Sequence, residues 1–159
     1  MTDQATMRTR PNGTQEWRLP NGQCHRDDGP AVVYSDGTEH WYQHGQWHRV
    51  DGPAITHPDG SEFWYQHGQC HRDDGPAVVF SDGDEYWYQR GKLHRVDGPA
   101  IVRPDGSEAW CQHDQLQRVD GPAVTCADGT REWWINGVQL VGFEAEVARR
   151  AWEKNGCPG

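Results

Sequence analysis

The stretch HRDDGPAVVYSDG, residues 25–37, returns as HRDDGPAVVFSDG at residues 71–83 with a single Tyr→Phe change. Self-similarity at a fixed period is typical of repeat proteins, in which each copy is one structural unit that packs against its neighbours. The HRxDGPA motif recurs every 23 residues, and its arginines are Arg26, Arg49, Arg72, Arg95 and Arg118. The two nearly identical stretches lie 46 residues apart, and duplication of a block of two units explains their similarity. The functional alternative is a binding surface that repeats every second unit.

Three other residue types keep the 23-residue period. The first is a tryptophan series: Trp41, Trp64, Trp87, Trp110 and Trp133. The second is the aspartate of an Asp-Gly turn: Asp36, Asp59, Asp82, Asp105 and Asp128. The third is an aliphatic series: Val32, Ile55, Val78, Ile101 and Val124. We predict that the tryptophan and aliphatic ladders form the core, because equivalent residues of stacked repeats pack against one another.

Each repeat contains two short strand candidates separated by turns. In the second unit these are EHWYQ (39–43) and PAITH (53–57), which are rich in aromatic and β-branched residues. The Asp-Gly of HPDGS (57–61) is typical of a tight hairpin turn. The sequence therefore predicts an all-β repeat protein: an elongated antiparallel meander sheet of stacked 23-residue β-hairpins with a short C-terminal α-helix cap.

The repeat pattern divides the chain into three parts: a flexible N-terminal tail (1–11), a β-hairpin array of about five units (12–140) and a capping helix (141–156). In the last part, FEAEVARRAWEKNG (143–156) has helical periodicity. Its apolar face consists of Phe143, Val147, Ala148, Ala151 and Trp152. We expect this face to pack over the end of the sheet, and the alternative is that it docks into a groove of a partner.

The chain carries 24 acidic and 15 basic residues, a formal charge of −9. We therefore expect no direct nucleic-acid backbone binding and favour a protein partner with a basic surface. No run approaches the length of a membrane span, so no membrane insertion is expected. The five cysteines form no CxxC pair, and Cys24 and Cys70 lie two repeats apart, too far for a disulfide. Free thiols fit a cytoplasmic location.

The unit W-x3-G-x2-H-R-x-D-G-P-A-x4-D-G-x3 resembles a variant of the MORN repeat, a 23-residue β-hairpin, over about residues 12–140. It is more similar to the degenerate MORN-variant repeats of bacterial proteins labelled antitoxin components. Similar HRxDGPA arrays occur in phage, bacterial and large-virus proteins, which implies the host-cell cytoplasm if the protein is phage-encoded. RxDGP stands here where the usual repeat has GxG, so the lipid-binding role of MORN proteins is not carried over.

Two groups of residues are candidates for partner binding. The arginines of the HRxDGPA motif could make bidentate hydrogen bonds to carboxylates or phosphates of a partner. Alternatively, each arginine stabilises the stack by pairing with an acidic residue of a neighbouring unit, such as Asp27 or Asp73. The second group consists of positions that vary between units. It contains Trp47, in place of Cys or Leu, and the last strand residues Tyr34, Phe80 and Arg103, which correspond to His57 and Cys126 in other units.

The sequence favours no catalytic residue, metal or cofactor. His44/His48 and His67/His71 have the i, i+4 spacing of zinc ligands, but they span a turn and are not kept in every unit. Our first hypothesis is a non-enzymatic scaffold that binds another protein, as an antitoxin-like or phage counter-defence inhibitor. The alternative is a ligand-binding module whose aromatic and arginine ladders hold nucleotides or glycans, and a hydrolase ranks last. An open first strand near Trp17 would favour a homodimer.

Overall fold

The computed structural model describes residues 4–155. The chain divides between Ser81 and Asp82 into two compact units, which are described in turn. The strands of the first unit are β1 (Thr6–Thr9), β2 (Gln15–Arg18), β3 (Val32–Val33), β4 (Glu39–His40), β5 (Tyr42–Gln43), β6 (Gln46–Trp47), β7 (Ile55–Thr56), β8 (Glu62–Phe63), β9 (Tyr65–Gln66), β10 (Gln69–Cys70) and β11 (Val78–Val79).

The second unit continues the same alternation and ends in a helix. Its elements are β12 (Glu85–Tyr86), β13 (Tyr88–Gln89), β14 (Lys92–Leu93), β15 (Ile101–Val102), β16 (Glu108–Ala109), β17 (Cys111–Gln112), β18 (Gln115–Leu116), β19 (Val124–Thr125), β20 (Arg131–Glu132), β21 (Trp134–Ile135), β22 (Val138–Gln139) and α1 (Gly142–Lys154).

The sheet strands pair antiparallel in a meander. Their order in the first unit is β1-β2-β3-β4-β7-β8-β11, and in the second it is β12-β15-β16-β19-β20. The remaining strands form separate two-stranded hairpins, such as β5 with β6, which we call the outer hairpins. The predicted fold class is confirmed: this is an all-β repeat protein built from antiparallel hairpins, with one C-terminal helix.

The predicted strand EHWYQ is divided in the structure at Trp41. The Trp41 N–H donates to the carbonyl of Ala54, whereas the Trp41 carbonyl accepts from the N–H of His48. The chain therefore changes partner at the tryptophan, so that β4 joins the sheet and β5 starts the outer hairpin. This second hairpin was not predicted, because its turn residues, His44 and Gly45, are not the usual Asn-Gly. Both have positive φ (49° and 79°), as two-residue hairpin turns require.

The predicted Asp-Gly turns are present as sheet hairpins. Oδ1 of Asp36 accepts the N–H of Thr38 at 2.9 Å, and Gly37 has a φ of 91°. The same contact from carboxylate to backbone recurs at Asp59, Asp82, Asp105 and Asp128. Because an aspartate at this position satisfies a backbone donor and glycine tolerates positive φ, the Asp-Gly pair fixes each turn.

The most buried side chains are small ones that the sequence did not single out. The alanines of the HRxDGPA motif are 0% exposed: Ala31, Ala54, Ala77, Ala100 and Ala123. Ala54 shows why, because its N–H donates to Phe63 and its carbonyl accepts from Trp41, so it lies inside the sheet. Of the predicted aliphatic ladder, Val32, Ile55 and Val78 are buried, and Ile101 and Val124 are half-buried. The ladder tryptophans are also half-buried.

The first strand lies inside the segment that we expected to be a flexible tail. β1 pairs with β2, and Met7 is opposite Trp17. The β-branched residues of TMRT favour a strand, and pairing satisfies the open edge of β2. The expected open edge at Trp17 is therefore covered by β1. Residues 1–3 of the predicted tail lie outside the described residues.

The C-terminal helix packs through Trp152, and only part of its predicted apolar face is covered: Ala148 is half-buried and Ala151 is exposed. The Trp152 ring meets the Trp133 ring edge-on, with centroids 6.4 Å apart, and the Arg131 guanidinium lies 5.0 Å from the Trp152 centroid. Phe143 and Val147 are 82% and 50% exposed. Since the last sheet strand, β20, has two residues, it presents little apolar surface for the helix to cover. Within residues 4–155, no helix has the length and apolar character needed to cross a membrane.

Candidate functional site

Each HRxDGPA turn holds its arginine in three contacts, which Arg49 illustrates. The guanidinium carbon lies 3.9 Å from the centroid of the Trp41 ring, a stacked cation–π geometry. Nε donates to Asp51 at 3.0 Å, and Nη1 donates to the carbonyl of Pro53 at 3.3 Å. The side chain is only 24% exposed. The outer hairpin makes this possible, because it brings Arg49 back onto the tryptophan that precedes the hairpin.

The glycine of the motif completes the arrangement from the other side. A Cβ added to Gly52 would lie 2.8 Å from the guanidinium carbon of Arg49. Real carbon contacts are longer than this, so residue 52 must lack a side chain while the arginine is stacked. Arg49 is thus sandwiched between the Trp41 indole and the Gly52 backbone. We call this unit the Trp–Arg–Gly sandwich.

The sandwich occurs with every copy of the motif. The stacked pairs are Arg26 on Trp17, Arg49 on Trp41, Arg72 on Trp64, Arg95 on Trp87 and Arg118 on Trp110, at 3.9 to 4.2 Å. The corresponding glycines would place a Cβ 2.6 to 3.0 Å from the guanidinium carbon. Trp133 has Trp152 of the helix in place of an arginine. The predicted pairing of the arginines with Asp27 or Asp73 is wrong, because each arginine pairs with the aspartate of its own turn.

These ion pairs affect titration but contribute little stability. The hydrogen bond from the arginine lowers the pKa of the partner carboxyl in Asp28, Asp51 and Asp74. The carboxylates are 84% exposed, and exposed ion pairs are screened by water. Nη2 of each sandwiched arginine has no hydrogen-bond partner among residues 4–155, which leaves it for water or a partner molecule.

The histidines of the motif link consecutive outer hairpins. Nδ1 of His48 accepts the N–H of His67 at 3.2 Å, and the two rings lie 4.5 Å apart. His25 with His44 and His94 with His113 form the same pair. Contact therefore runs between histidines 19 residues apart, and not between the i, i+4 pairs that have zinc-ligand spacing. In the fifth copy, Gln117 replaces the histidine and its Oε1 accepts the N–H of Asn136.

Burial lowers the pKa of two of these imidazoles. For His48 and His94 the main cause is desolvation, and the second is the charge of the stacked partner, His67 or His113. The neutral ring is also the form that can accept a hydrogen bond at Nδ1. The fold therefore favours unprotonated histidines at these positions.

The thiols and acidic groups of the described chain show no arrangement for metal binding. Cys24, Cys70, Cys111 and Cys126 are free, and Cys157 lies outside the described residues. Burial raises the pKa of the Cys70 thiol to about 12 and also raises that of Cys111. Over residues 4–155 no group of three or more His, Cys, Asp or Glu side chains is positioned to hold a metal ion.

One face of the first unit carries two groups of contacting aromatic rings. Tyr34 meets His40 edge-on at 4.9 Å, and Trp47 lies 5.7 Å from Tyr42 and 5.1 Å from Tyr65. Further along the same face, Phe80 meets Phe63 edge-on at 5.5 Å. We call this side of the sheet the aromatic face. The sequence-predicted binding residues Tyr34, Trp47 and Phe80 lie on this face; Tyr34 and Phe80 are 38% and 39% exposed, and Trp47 is half-buried. Arg103, in the second unit, pairs with Asp84 at 3.3 Å.

The opposite face of the sheet carries glutamates that sequence reasoning missed. Successive residues of a strand point to opposite faces of the sheet. The side chains of Glu39 and Glu62 therefore project from the face that does not carry His40 and Phe63. Glu62 and Trp64 line a groove of about 620 Å³ between the turns at 50–53 and 71–74. Asp51, Asp73 and Asp74 line the same groove. We call this side the acidic face. The 23-residue recurrence of Glu39, Glu62, Glu85 and Glu108 was the signal available in the sequence.

Comparison of the chain with models of known protein families, and with curated protein sequences, gives no match.

Proposed function

We propose that the protein is a non-enzymatic repeat scaffold that binds another protein. The observation that carries this proposal is the aromatic face, on which Tyr34 and Phe80 are exposed among neighbouring rings and Trp47 is half-buried between Tyr42 and Tyr65. Tyrosine, tryptophan and phenylalanine are enriched in protein interfaces, because they bury a large area at little entropic cost. These residues also differ from unit to unit, whereas the residues of the Trp–Arg–Gly sandwich are the same in every unit.

The class of partner follows from charge and from the resemblance. A net charge of −9 favours a partner with a basic surface, because complementary potentials accelerate association. The similarity of the HRxDGPA array to MORN-variant repeats of antitoxin components and phage proteins suggests an inhibitor, either antitoxin-like or directed against a host defence. Such an inhibitor would act in the host-cell cytoplasm. The polar candidates are the sandwiched arginines, whose Nη2 atoms have no hydrogen-bond partner within residues 4–155, and Arg103.

The test is affinity capture by the tagged full chain from a lysate of its native host, compared with a Tyr34→Ala/Phe80→Ala variant. We expect the wild type to retain one protein in about equimolar amount and the variant to lose at least nine-tenths of it, since truncation of aromatic hot spots commonly costs 2 kcal/mol or more, roughly thirtyfold in affinity. Val96→Ala, at an exposed turn valine, is the control and should retain the partner. Equal retention by the double variant would contradict the proposal.

The second candidate is a ligand-binding module for nucleotides or glycans. The groove that contains Trp64 beside Arg72 is the observation in its favour. Indole rings stack on bases and sugars, and Nη2 could hold a phosphate. Intrinsic tryptophan fluorescence measured against nucleotide and glycan panels tests it, because a saturable change is expected on binding. A signal that stays flat across both panels would exclude this candidate.

Association of copies remains a hypothesis for the edge strand β1, whose residues are all exposed. A second copy could pair along it, although Arg8 would bring positive charge to the junction. Sedimentation velocity over a hundredfold range of concentration tests the point: a dimer boundary that Arg8→Pro abolishes is the expected result.

A further inference from the structure

Glutamates of neighbouring hairpins are placed at a fixed spacing on the acidic face. In the first unit Glu39 is opposite Thr56, and Thr56 is opposite Glu62. Residues opposite one another in an antiparallel pair project to the same side. Two strand spacings separate the carboxylate positions, about 10 Å. The second unit repeats the arrangement, with Val102 between Glu85 and Glu108.

These carboxylates are not used by the fold. Glu39, Glu62, Glu85 and Glu108 are half-buried, and none makes a hydrogen bond or ion pair with another described residue. Glu16, which belongs to the aromatic face, forms ion pairs with Arg8, Arg10 and Arg18. A half-buried charge without a partner costs free energy that a cation of suitable geometry recovers.

The groove at Glu62 has the shape and chemistry for a cationic side chain. The Trp64 indole is already stacked against Arg72, whose guanidinium is paired with Asp74. The Glu62 carboxylate in the same groove has no such internal partner and offers an acceptor for the charged head of an incoming side chain. Around it, Asp51, Asp73 and Asp74 are 79% to 84% exposed. With Glu62 they outnumber the one lining guanidinium, that of Arg72, so the potential in the groove is negative. The excess of carboxylates favours a basic protein segment over a phosphate backbone as the complementary occupant.

We propose that the acidic face of each unit binds an extended basic segment of a partner protein in polyproline II conformation, with an arginine at every third residue. A polyproline II helix rises about 3.1 Å per residue and has three residues per turn, so every third side chain points the same way and repeats after about 9.3 Å. That repeat matches the carboxylate spacing. In a β-strand, residues three apart point to opposite sides. The proposal rests on the proposed function and places a second binding surface opposite the aromatic face.

The test uses two short peptides of equal composition. One is Arg-Pro-Pro-Arg-Pro-Pro, and the other has its two arginines adjacent, followed by the four prolines. Isothermal titration of the full chain at low ionic strength should show the first peptide binding about tenfold more tightly, the ratio that one charge-assisted hydrogen bond supplies. It should bind two copies per chain, one in each unit. Equal affinity of the two peptides would overturn the proposal, because only diffuse charge would then be acting.

Variants locate the binding. Glu39→Gln/Glu62→Gln should reduce the stoichiometry from two peptides to one, and the addition of Glu85→Gln/Glu108→Gln should abolish binding. Glu144→Gln/Glu153→Gln, on the helix, removes the same charge as the first pair and should leave the titration unchanged. Binding that falls equally in the helix variant would contradict the proposal. Because the peptides do not depend on the captured partner, failure here leaves the aromatic face untouched, and failure of the capture leaves this titration intact.

Discussion

At the scale of the residue, the HRxDGPA motif is explained position by position. The arginine stacks on an indole, the aspartate accepts from its Nε, and the proline carbonyl accepts from its Nη1. The glycine leaves room for the guanidinium, and the alanine is fully buried in the sheet. The period and the Asp-Gly turns were predictable from the sequence. The sandwich was not, because Trp41 and Arg49 meet only through the outer hairpin, whose His-Gly turn carries no common hairpin signature.

The sandwich predicts that Gly52→Ala destabilises the protein by about 1–3 kcal/mol, the usual range for overpacking. The added methyl would displace the Arg49 guanidinium from Trp41. Urea unfolding followed by tryptophan fluorescence measures the effect. In an Arg49→Ala background the same glycine change should cost little, because the clashing group is gone. Additive costs in the double-mutant cycle would show that the glycine and arginine do not interact.

At the scale of the element, the outer hairpins are linked by hydrogen bonds in which a motif side chain accepts a backbone N–H of the next hairpin. The spacing of His44 and His48 indicated a zinc pair only if both lay on one helix face. In the structure His25, His48 and His94 instead accept a backbone N–H from the next hairpin. Gln117 makes the same contact with an amide oxygen, which shows that the requirement is an acceptor and not an imidazole. Such long-range contacts depend on how hairpins stack, so spacing within one unit does not predict them.

This link predicts stability that depends on pH. The pKa values of His48 and His94 are lowered in the folded protein, so the folded state binds fewer protons than the unfolded one. Their contribution is complete above the unfolded pKa of about 6.5 and is lost as the pH falls below it. We expect Tm to fall between pH 7.5 and pH 5 by thermal unfolding. His48→Gln/His94→Gln should flatten part of that dependence, since the pKa of His40 is also lowered by burial, and His44→Gln should not; an unchanged slope in the first variant would refute the link.

The helix makes a third prediction, because Trp152 is its contact with the sheet. Trp152→Ala should reduce the helical circular dichroism signal and lower stability by about 2 kcal/mol, below the range for a fully buried tryptophan. A helix of this length is marginal without packing. Phe143→Ala is the matched control and should change neither quantity by much, since Phe143 is 82% exposed. A helical signal that survives the first substitution would mean that other residues anchor the helix.

At the scale of the whole molecule, repetition gives the protein its fold and its surfaces together. The sequence predicted the hairpin array and the C-terminal helix, and it marked Tyr34 and Phe80 as positions that vary between units. It did not predict the β1 strand, because four exposed residues carry a weak pattern and become ordered only against β2. Nor did it predict the acidic face, since a glutamate in a strand reveals its lack of partners only when the neighbouring side chains are placed.

The most direct test of the central claim, that this array is a protein-binding scaffold, is hydrogen–deuterium exchange of the full chain with and without its captured partner. The account predicts slower exchange in the strands that bear the aromatic face, around Tyr34, Trp47 and Phe80, and no change in α1. Protection confined to α1 would contradict it, since the exposed Phe143 side of the helix would then be the binding surface.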